Sequence, residues 1–195
     1  MVDLNATALT VAPALLGCLL SQGSVAIRIT EVEAYAGADD PAAHAFGGPR
    51  PHTRDLFAEP GTLYCYRSYG IHICGNLVCG PERSGSAVLL RAGEVVEGIE
   101  LARLRRPGVT DAALARGPGN LGRAMGWTLA DSGGRLGVGG LALREPTDAV
   151  GAIQRGPRVG VSVAHRREWR FWLKGEPSVS SYRHSPRVRS GPLEW

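Results

Sequence analysis

Apolar positions in the first forty residues follow two periods in turn. Over residues 9–20, Leu15, Leu16, Leu19 and Leu20 share one face and Pro13 suits a first turn, which predicts a core helix. The first basic residue is Arg28, and the apolar stretch is too short to cross a bilayer, so it reads as neither a leader nor an anchor. Residues 24–35 switch to period two, the mark of a strand. Val25, Ile27 and Ile29 share a face, and unbroken alternation places Glu31, Glu33 and Tyr35 next on it. A face that begins apolar and ends in carboxylates suggests a strand running from the core into a pocket.

Residues 36–60 are rich in Gly, Pro, Ala and Asp, which predicts a long ordered loop or a loop with short helical turns. Residues 61–79 have the form of a hairpin, with strands 62–67 and 71–78 about the turn Ser68, Tyr69, Gly70. A further strand is expected over 87–91. A short amphipathic helix is expected over 97–106, with Arg103, Arg105 and Arg106 towards one end. The turn Gly117, Pro118, Gly119 leads into a helix over 121–125. Segments 136–143, 158–163 and 169–174 read as strands, and from about residue 181 a loose polar tail is expected. No repeat or linker interrupts the chain, and its 195 residues suit a single domain, 1–195.

Composition narrows the picture a little. Hydrophobic residues are 44% and charged residues 21%, an ordinary globular balance. The net charge of +4 comes almost wholly from arginine, Lys174 being the sole lysine. Arginine suits bidentate phosphate contacts, so a nucleic-acid partner is permitted, as is a merely Arg-rich protein. Cys18, Cys65, Cys74 and Cys79 form no paired metal-ligand spacing. Reduced core thiols in a cytoplasmic protein are the simpler reading, with no metal and no cofactor expected.

Several side chains could carry chemistry. Glu31 or Glu33, drawn into a pocket, would lose solvation, gain basicity and could hold a water; both could instead sit on an exposed edge. Arg91 is a candidate charge partner. Three of five tyrosines, Tyr64, Tyr66 and Tyr69, fall in the hairpin. Tyr69 at its tip could enter a base stack, or the three could form a cross-strand cluster. His44 in the long loop would by itself be a structural or surface histidine. Asn76, among apolar neighbours, needs partners, and the edge of a bound base would supply them. The turn at 117–119 exposes amides suited to phosphate, or is a plain turn. An amine-dependent strand-nicking activity is not expected with Lys174, the one lysine, set in the strand expected over 169–174.

The ordered set Glu31-Val32-Glu33-Ala34-Tyr35, Ala42-Ala43-His44, Pro60-Gly61-Thr62-Leu63-Tyr64 and Tyr69-Gly70 resembles the alkyladenine (3-methylpurine) DNA glycosylases. The match continues through Asn76, Val88-Leu89-Leu90-Arg91-Ala92, Glu97-Gly98, Gly117-Pro118-Gly119, Arg158-Val159-Gly160-Val161 and Trp169-Arg170-Phe171, and spans about residues 10 to 180. The resemblance implies an α+β fold: one mixed domain with a curved antiparallel β-sheet, surrounding helices and a protruding hairpin. It implies a monofunctional glycosylase of base excision repair that flips alkylated or deaminated purines from double-stranded DNA and hydrolyses the N-glycosidic bond. It implies that Glu33, rather than Glu31, activates water, with Arg91 and the carbonyl of Val159 helping to hold it. Tyr35 and Tyr66 would stack the flipped purine, with His44 facing Tyr35's side of the pocket. Tyr69 would wedge the duplex, and Asn76 would hinder guanine. A cytoplasmic monomer, nucleoid-associated if bacterial, with no membrane partner completes the expectation. Asn120 and His72 depart from the family pattern, where a lysine and an apolar or aromatic residue are usual. The competing readings are a non-catalytic damaged-DNA-binding protein, an RNA-binding module and a hydrolase of free nucleosides.

Overall fold

In a computed structural model, described here over residues 2–188, nine strands form one antiparallel sheet. Its main path runs β3 (Leu63–Ser68), β4 (His72–Val78), β5 (Ser86–Glu97), β2 (Val25–Ala36), β1 (Leu19–Gln22) and β7 (Ala142–Arg144). Three short strands branch from it. β6 (Ala115–Arg116) pairs with β5, and β9 (Arg170–Leu173) pairs with β2 and with β8 (Ile153–Gly156). The sheet does not close into a barrel. Three α-helices complete the fold: α1 (Ala8–Ala14), α2 (Ile99–Arg105) and α3 (Pro118–Met125). The α+β class implied by the resemblance is the observed one.

The long strands β2 and β5 carry the feature that makes a site. Their register runs Ile29 with Gly93, Glu31 with Ala92, then Val32 with Leu90. Thr30 on one strand and Arg91 on the other are therefore extra residues, a paired bulge. Each extra residue inverts the alternation. Val25, Ile27 and Ile29 lie in the core before the bulge, and Val32 and Ala34 after it. On β5 the core positions change likewise, from Val88 and Leu90 to Val95. The unbroken alternation expected from the sequence is thus corrected. Glu31, Glu33 and Tyr35 leave the face of Val25 and turn to the side opposite the core.

The predicted helix over 9–20 shortens at its C-terminal end. Thr7 caps α1 by accepting from the Thr10 amide at 3.3 Å, and Gly17 turns the chain at positive φ. Leu19 and Leu20 then join β1, where the backbone finds antiparallel partners in β2 and Leu20 remains in the core. Two strand expectations also change. Only Ala142–Arg144 of 136–143 is a strand, after a glycine-rich turn. Residues 158–163 form no strand, and Ile153–Gly156 pairs with β9 instead. The long loop holds 3-10 turns at Gly37–Asp39 and Pro51–Phe57, as its composition suggested. Beyond residue 181 the chain is better anchored than expected: the Arg183 carbonyl accepts from the Gly160 amide and Ser185 is buried. The rest of the predicted tail, 189–195, lies outside the described residues.

Helix α3 packs on β4 at a distance that no side chain would permit. A Cβ at Gly122 would lie 1.9 Å from the Ile73 carbonyl oxygen, and one at Gly75 would strike the Trp127 ring. The predicted helix 121–125 in fact begins at Pro118, where proline is well suited to a first position.

Candidate active site

Above the inverted strands lies a cleft of about 570 Å³. Its floor is Glu33 and Tyr35 from β2 with Leu89 and Arg91 from β5. The hairpin supplies Tyr64, Tyr66, Tyr69 and Asn76, the long loop His44, and the segment after β8 Val159 and Gly160. All eight residues proposed from the sequence therefore line a single cavity.

The two glutamates of β2 have different surroundings. Glu31 is fully buried and its oxygens are engaged: Oε1 accepts from Arg91 Nε and Arg170 Nε, both at 2.7 Å, and from the Ser180 hydroxyl at 2.9 Å. Oε2 accepts from the Ser180 amide at 2.7 Å. Burial pushes this carboxyl up, but Arg91, Arg170 and the Ser180 amide more than offset it and hold it below its ordinary value. The gain in basicity expected of a desolvated carboxylate does not occur at Glu31. It is a structural anchor that fixes Arg91 and ties residues 178–180 to the sheet, helped by a 2.8 Å bond between Thr30 and Ser178.

Glu33 is equally buried but faces the cleft. Its Oε1 accepts from the Val159 amide at 2.7 Å and lies 3.3 Å from an Arg91 terminal nitrogen. Its Oε2 accepts from the Tyr35 hydroxyl at 2.9 Å. Burial disfavours the Arg91 cation, yet Glu33 and Glu31 raise its pKa and keep it charged.

Aromatic rings form the walls. Tyr64 and Tyr66 stack with centroids 5.8 Å apart and planes 16° off parallel. His44 meets Tyr66 edge-on at 4.5 Å, so it belongs to the Tyr66 wall rather than to the Tyr35 side. Desolvation on the side facing the tyrosine wall, with His52 nearby, lowers the His44 pKa below its ordinary value although the residue as a whole stays exposed, which favours the neutral imidazole at pH 7. Asn76 is buried and donates from Nδ2 to the Tyr64 carbonyl at 3.3 Å. At the hairpin tip Tyr69 is 87% exposed with φ +49°, followed by Gly70 at +74°. A bulky residue held in the left-handed region and in water is unusual, and such strain tends to mark function. His72 packs its ring over Gly119 at the start of α3, while Asn120 donates to the Arg116 carbonyl at 2.6 Å.

Sequence reasoning missed the pair that assembles these parts. Arg158, fully buried, makes a two-pronged contact with Asp40 and donates to the Ala34 carbonyl at 3.1 Å. Asp40 also accepts from the Ala36 and Ala42 amides, closing the turn that leads to His44. The Arg158 guanidinium lies 4.6 Å over the Tyr35 ring. The long loop, Tyr35 and the Val159 amide are thereby held together. Arg158 stands in the Arg158-Val159-Gly160-Val161 motif, but no local pattern gives its role or marks Asp40, because the two are 118 positions apart.

Comparisons over most of the chain identify a family. The model of the methylpurine-DNA glycosylase family matches residues 3–177. The chain belongs to that family. A protein of Frankia casuarinae is 51% identical over 193 residues, covering 93% of this chain and 91% of the relative. One from Cutibacterium acnes is 48% identical over 190 residues, covering 94% and 100%, and one from Corynebacterium glutamicum 47% over 178 residues, covering 91% and 94%. All three are named as candidate 3-methyladenine DNA glycosylases. Membership in the methylpurine-DNA glycosylases makes the protein an enzyme of base excision repair, a hydrolase of N-glycosidic bonds that binds damaged DNA. Among the described residues, no helix is long and apolar enough to cross a membrane.

Proposed function

We propose that this glycosylase flips alkylated and deaminated purines (3-methyladenine, 7-methylguanine, hypoxanthine and ethenoadenine) from duplex DNA and releases them with a water activated by Glu33. The observation that carries the reading is a buried carboxylate at the floor of an aromatic cleft, held by Arg91 and the Val159 amide and facing the space a base would fill.

Flipping costs about a few kcal/mol, less for a damaged and poorly paired base. Tyr69, exposed at the hairpin tip, fills the gap left in the duplex. The purine enters between Tyr35 and the wall of Tyr66 and His44, where its ring faces contact aromatic surface. Asn76 presents its amide to the base edge and disfavours guanine's exocyclic amino group. Glu33 then directs water at C1′, and its charge stabilises the oxocarbenium-like sugar. Arg91 and the Val159 carbonyl complete the water's surroundings. A cationic alkylated base leaves readily, whereas a neutral base needs a proton. The exposed Lys174 lies outside the cleft, which favours a monofunctional hydrolase over a Schiff-base lyase. The enzyme acts in the cytoplasm as a monomer, with one domain spanning 1–195.

The test is single-turnover excision from a labelled duplex carrying one ethenoadenine or hypoxanthine, with a methylated duplex in parallel. Wild type releases the base, whereas Glu33→Gln binds the lesion duplex and loses excision by a factor of at least about 10³. Full excision by the variant overturns the assignment of the base. Preferential binding to RNA with no release from any lesion overturns the reading as a whole.

A further inference from the structure

The Glu33 carboxylate is held by two short bonds from opposite ends. The Val159 amide binds Oε1 at 2.7 Å and the Tyr35 hydroxyl binds Oε2 at 2.9 Å. The last torsion of a glutamate is broad and nearly two-fold, so the Val159 amide and Arg91, both on Oε1, leave the carboxylate plane free to swing about that oxygen. Donors on both oxygens fix the plane and still leave one lone pair per oxygen for other donors. A carboxylate that must aim a water at one carbon depends on that plane, because small misplacements cost rate steeply.

The hydroxyl is itself firmly placed. The Arg158 guanidinium stacks 4.6 Å over the Tyr35 ring, and Asp40 grips the guanidinium with both oxygens. Burial and the neighbouring Glu33 carboxylate raise the phenol's pKa well above 10, so it remains a donor across the physiological range.

We propose that the Tyr35 hydroxyl is a positioning group for hydrolysis: beyond the stacking surface of its ring, it locks the plane of the Glu33 carboxylate against the Val159 amide. The residue thus serves binding and rate through separate atoms. The ring meets the base, and the hydroxyl, at the far end of the same side chain, orients the carboxylate. This inference rests on Glu33 being the base that activates water.

Tyr35→Phe separates the two roles, since it keeps the ring and removes only the donor. Four proteins are compared with an ethenoadenine duplex: wild type, Tyr35→Phe, Tyr35→Leu and Glu33→Gln. The measurements are equilibrium affinity, single-turnover rate at saturating enzyme, and thermal unfolding midpoint. The expected result for Tyr35→Phe is lesion affinity within about twofold of wild type, an unchanged midpoint and a single-turnover rate lower by about 10- to 100-fold, the scale of one hydrogen bond to a charged group. Tyr35→Leu loses affinity as well as rate. A Tyr35→Phe enzyme with the wild-type rate, beside an inactive Glu33→Gln, overturns the inference and leaves the assignment of Glu33 standing. An active Glu33→Gln removes that assignment and the inference with it. A Tyr35→Phe whose loss lies wholly in affinity or in the midpoint assigns the hydroxyl to binding or folding and likewise overturns the inference.

Discussion

Glu31 and Glu33 lie two positions apart and share Arg91, yet their environments give them different tasks. Glu31 is ringed by two guanidiniums and two groups of Ser180, and its side chain is wholly shielded from solvent. Removing its charge leaves the two buried guanidiniums without the carboxylate they share. Glu31→Gln is expected to destabilise the fold by about 3–5 kcal/mol, measured by chemical denaturation. A variant within 1 kcal/mol of wild type would show that the network is not structural. Glu33→Gln, by contrast, should lose chemistry at nearly full stability, because Arg91 keeps Glu31 as its partner. At this scale the sequence supplied both candidates but no means of ranking them. Both are glutamates on one strand, and what separates them is Arg170 and Ser180, which come from the far end of the chain. The family resemblance, not the local pattern, pointed to Glu33.

The hairpin formed by β3 and β4 was the element most legible in the sequence. Its alternation, its central turn and the exposure of Tyr69 were all expected, because a hairpin is built from contacts between neighbours in the chain. Ser68 pairs with His72, so Tyr69, Gly70 and Ile71 form the loop, one residue later than the turn expected from the sequence. With its side chain in water, Tyr69 contributes little to folding. Tyr69→Ala is expected to change stability by less than about 0.5 kcal/mol yet slow excision from a paired duplex by about 10- to 100-fold. The loss should be smaller for a lesion in single-stranded DNA, where no stack needs opening. Equal losses on both substrates would argue against a wedge. The strand β2 was predicted with nearly its observed ends but with the wrong face beyond Ile29. A bulge leaves no trace in composition, since Thr30 and Arg91 are unremarkable in a strand. It arises from how two strands meet.

At the scale of the whole molecule, acid sensitivity rests on the buried Glu31, the half-buried Asp131 and the exposed His44. His44 has a pKa below 6.5, so the unfolded chain takes up a proton in a range where the folded chain resists it. Glu31 and Asp131 titrate below their ordinary values in the fold. Their stabilisation is complete above the unfolded carboxylate range and is lost as pH falls through the folded values. The unfolding midpoint should therefore decline in two steps on acidification, the first beginning near pH 6.5 and the second below about pH 4.5. Thermal scans between pH 8 and 3 check this, with Glu31→Gln expected to weaken the second step. A midpoint that stays flat from pH 8 to 5 would contradict the first. Residues 178–180 contribute to the second step through Glu31, although the family match ends at residue 177.

Taken by itself, the sequence determined what short-range physics controls: the hairpin, the ends of β2, the first turns of α1, the glycine-proline turn into α3 and a loop shaped by proline and glycine. Its ordered motifs also determined the family, and with it eight of the residues that line the cleft. Only the tertiary structure decided which face of β2 meets the core, what surrounds each glutamate, and on which wall His44 stands. It also decided that β8, not the segment at 158–163, pairs with β9, and that Arg158 with Asp40 holds the site together. These features share one cause. Each depends on partners distant in sequence, whose charge and hydrogen-bonding capacity are satisfied only once the sheet is assembled and water is excluded.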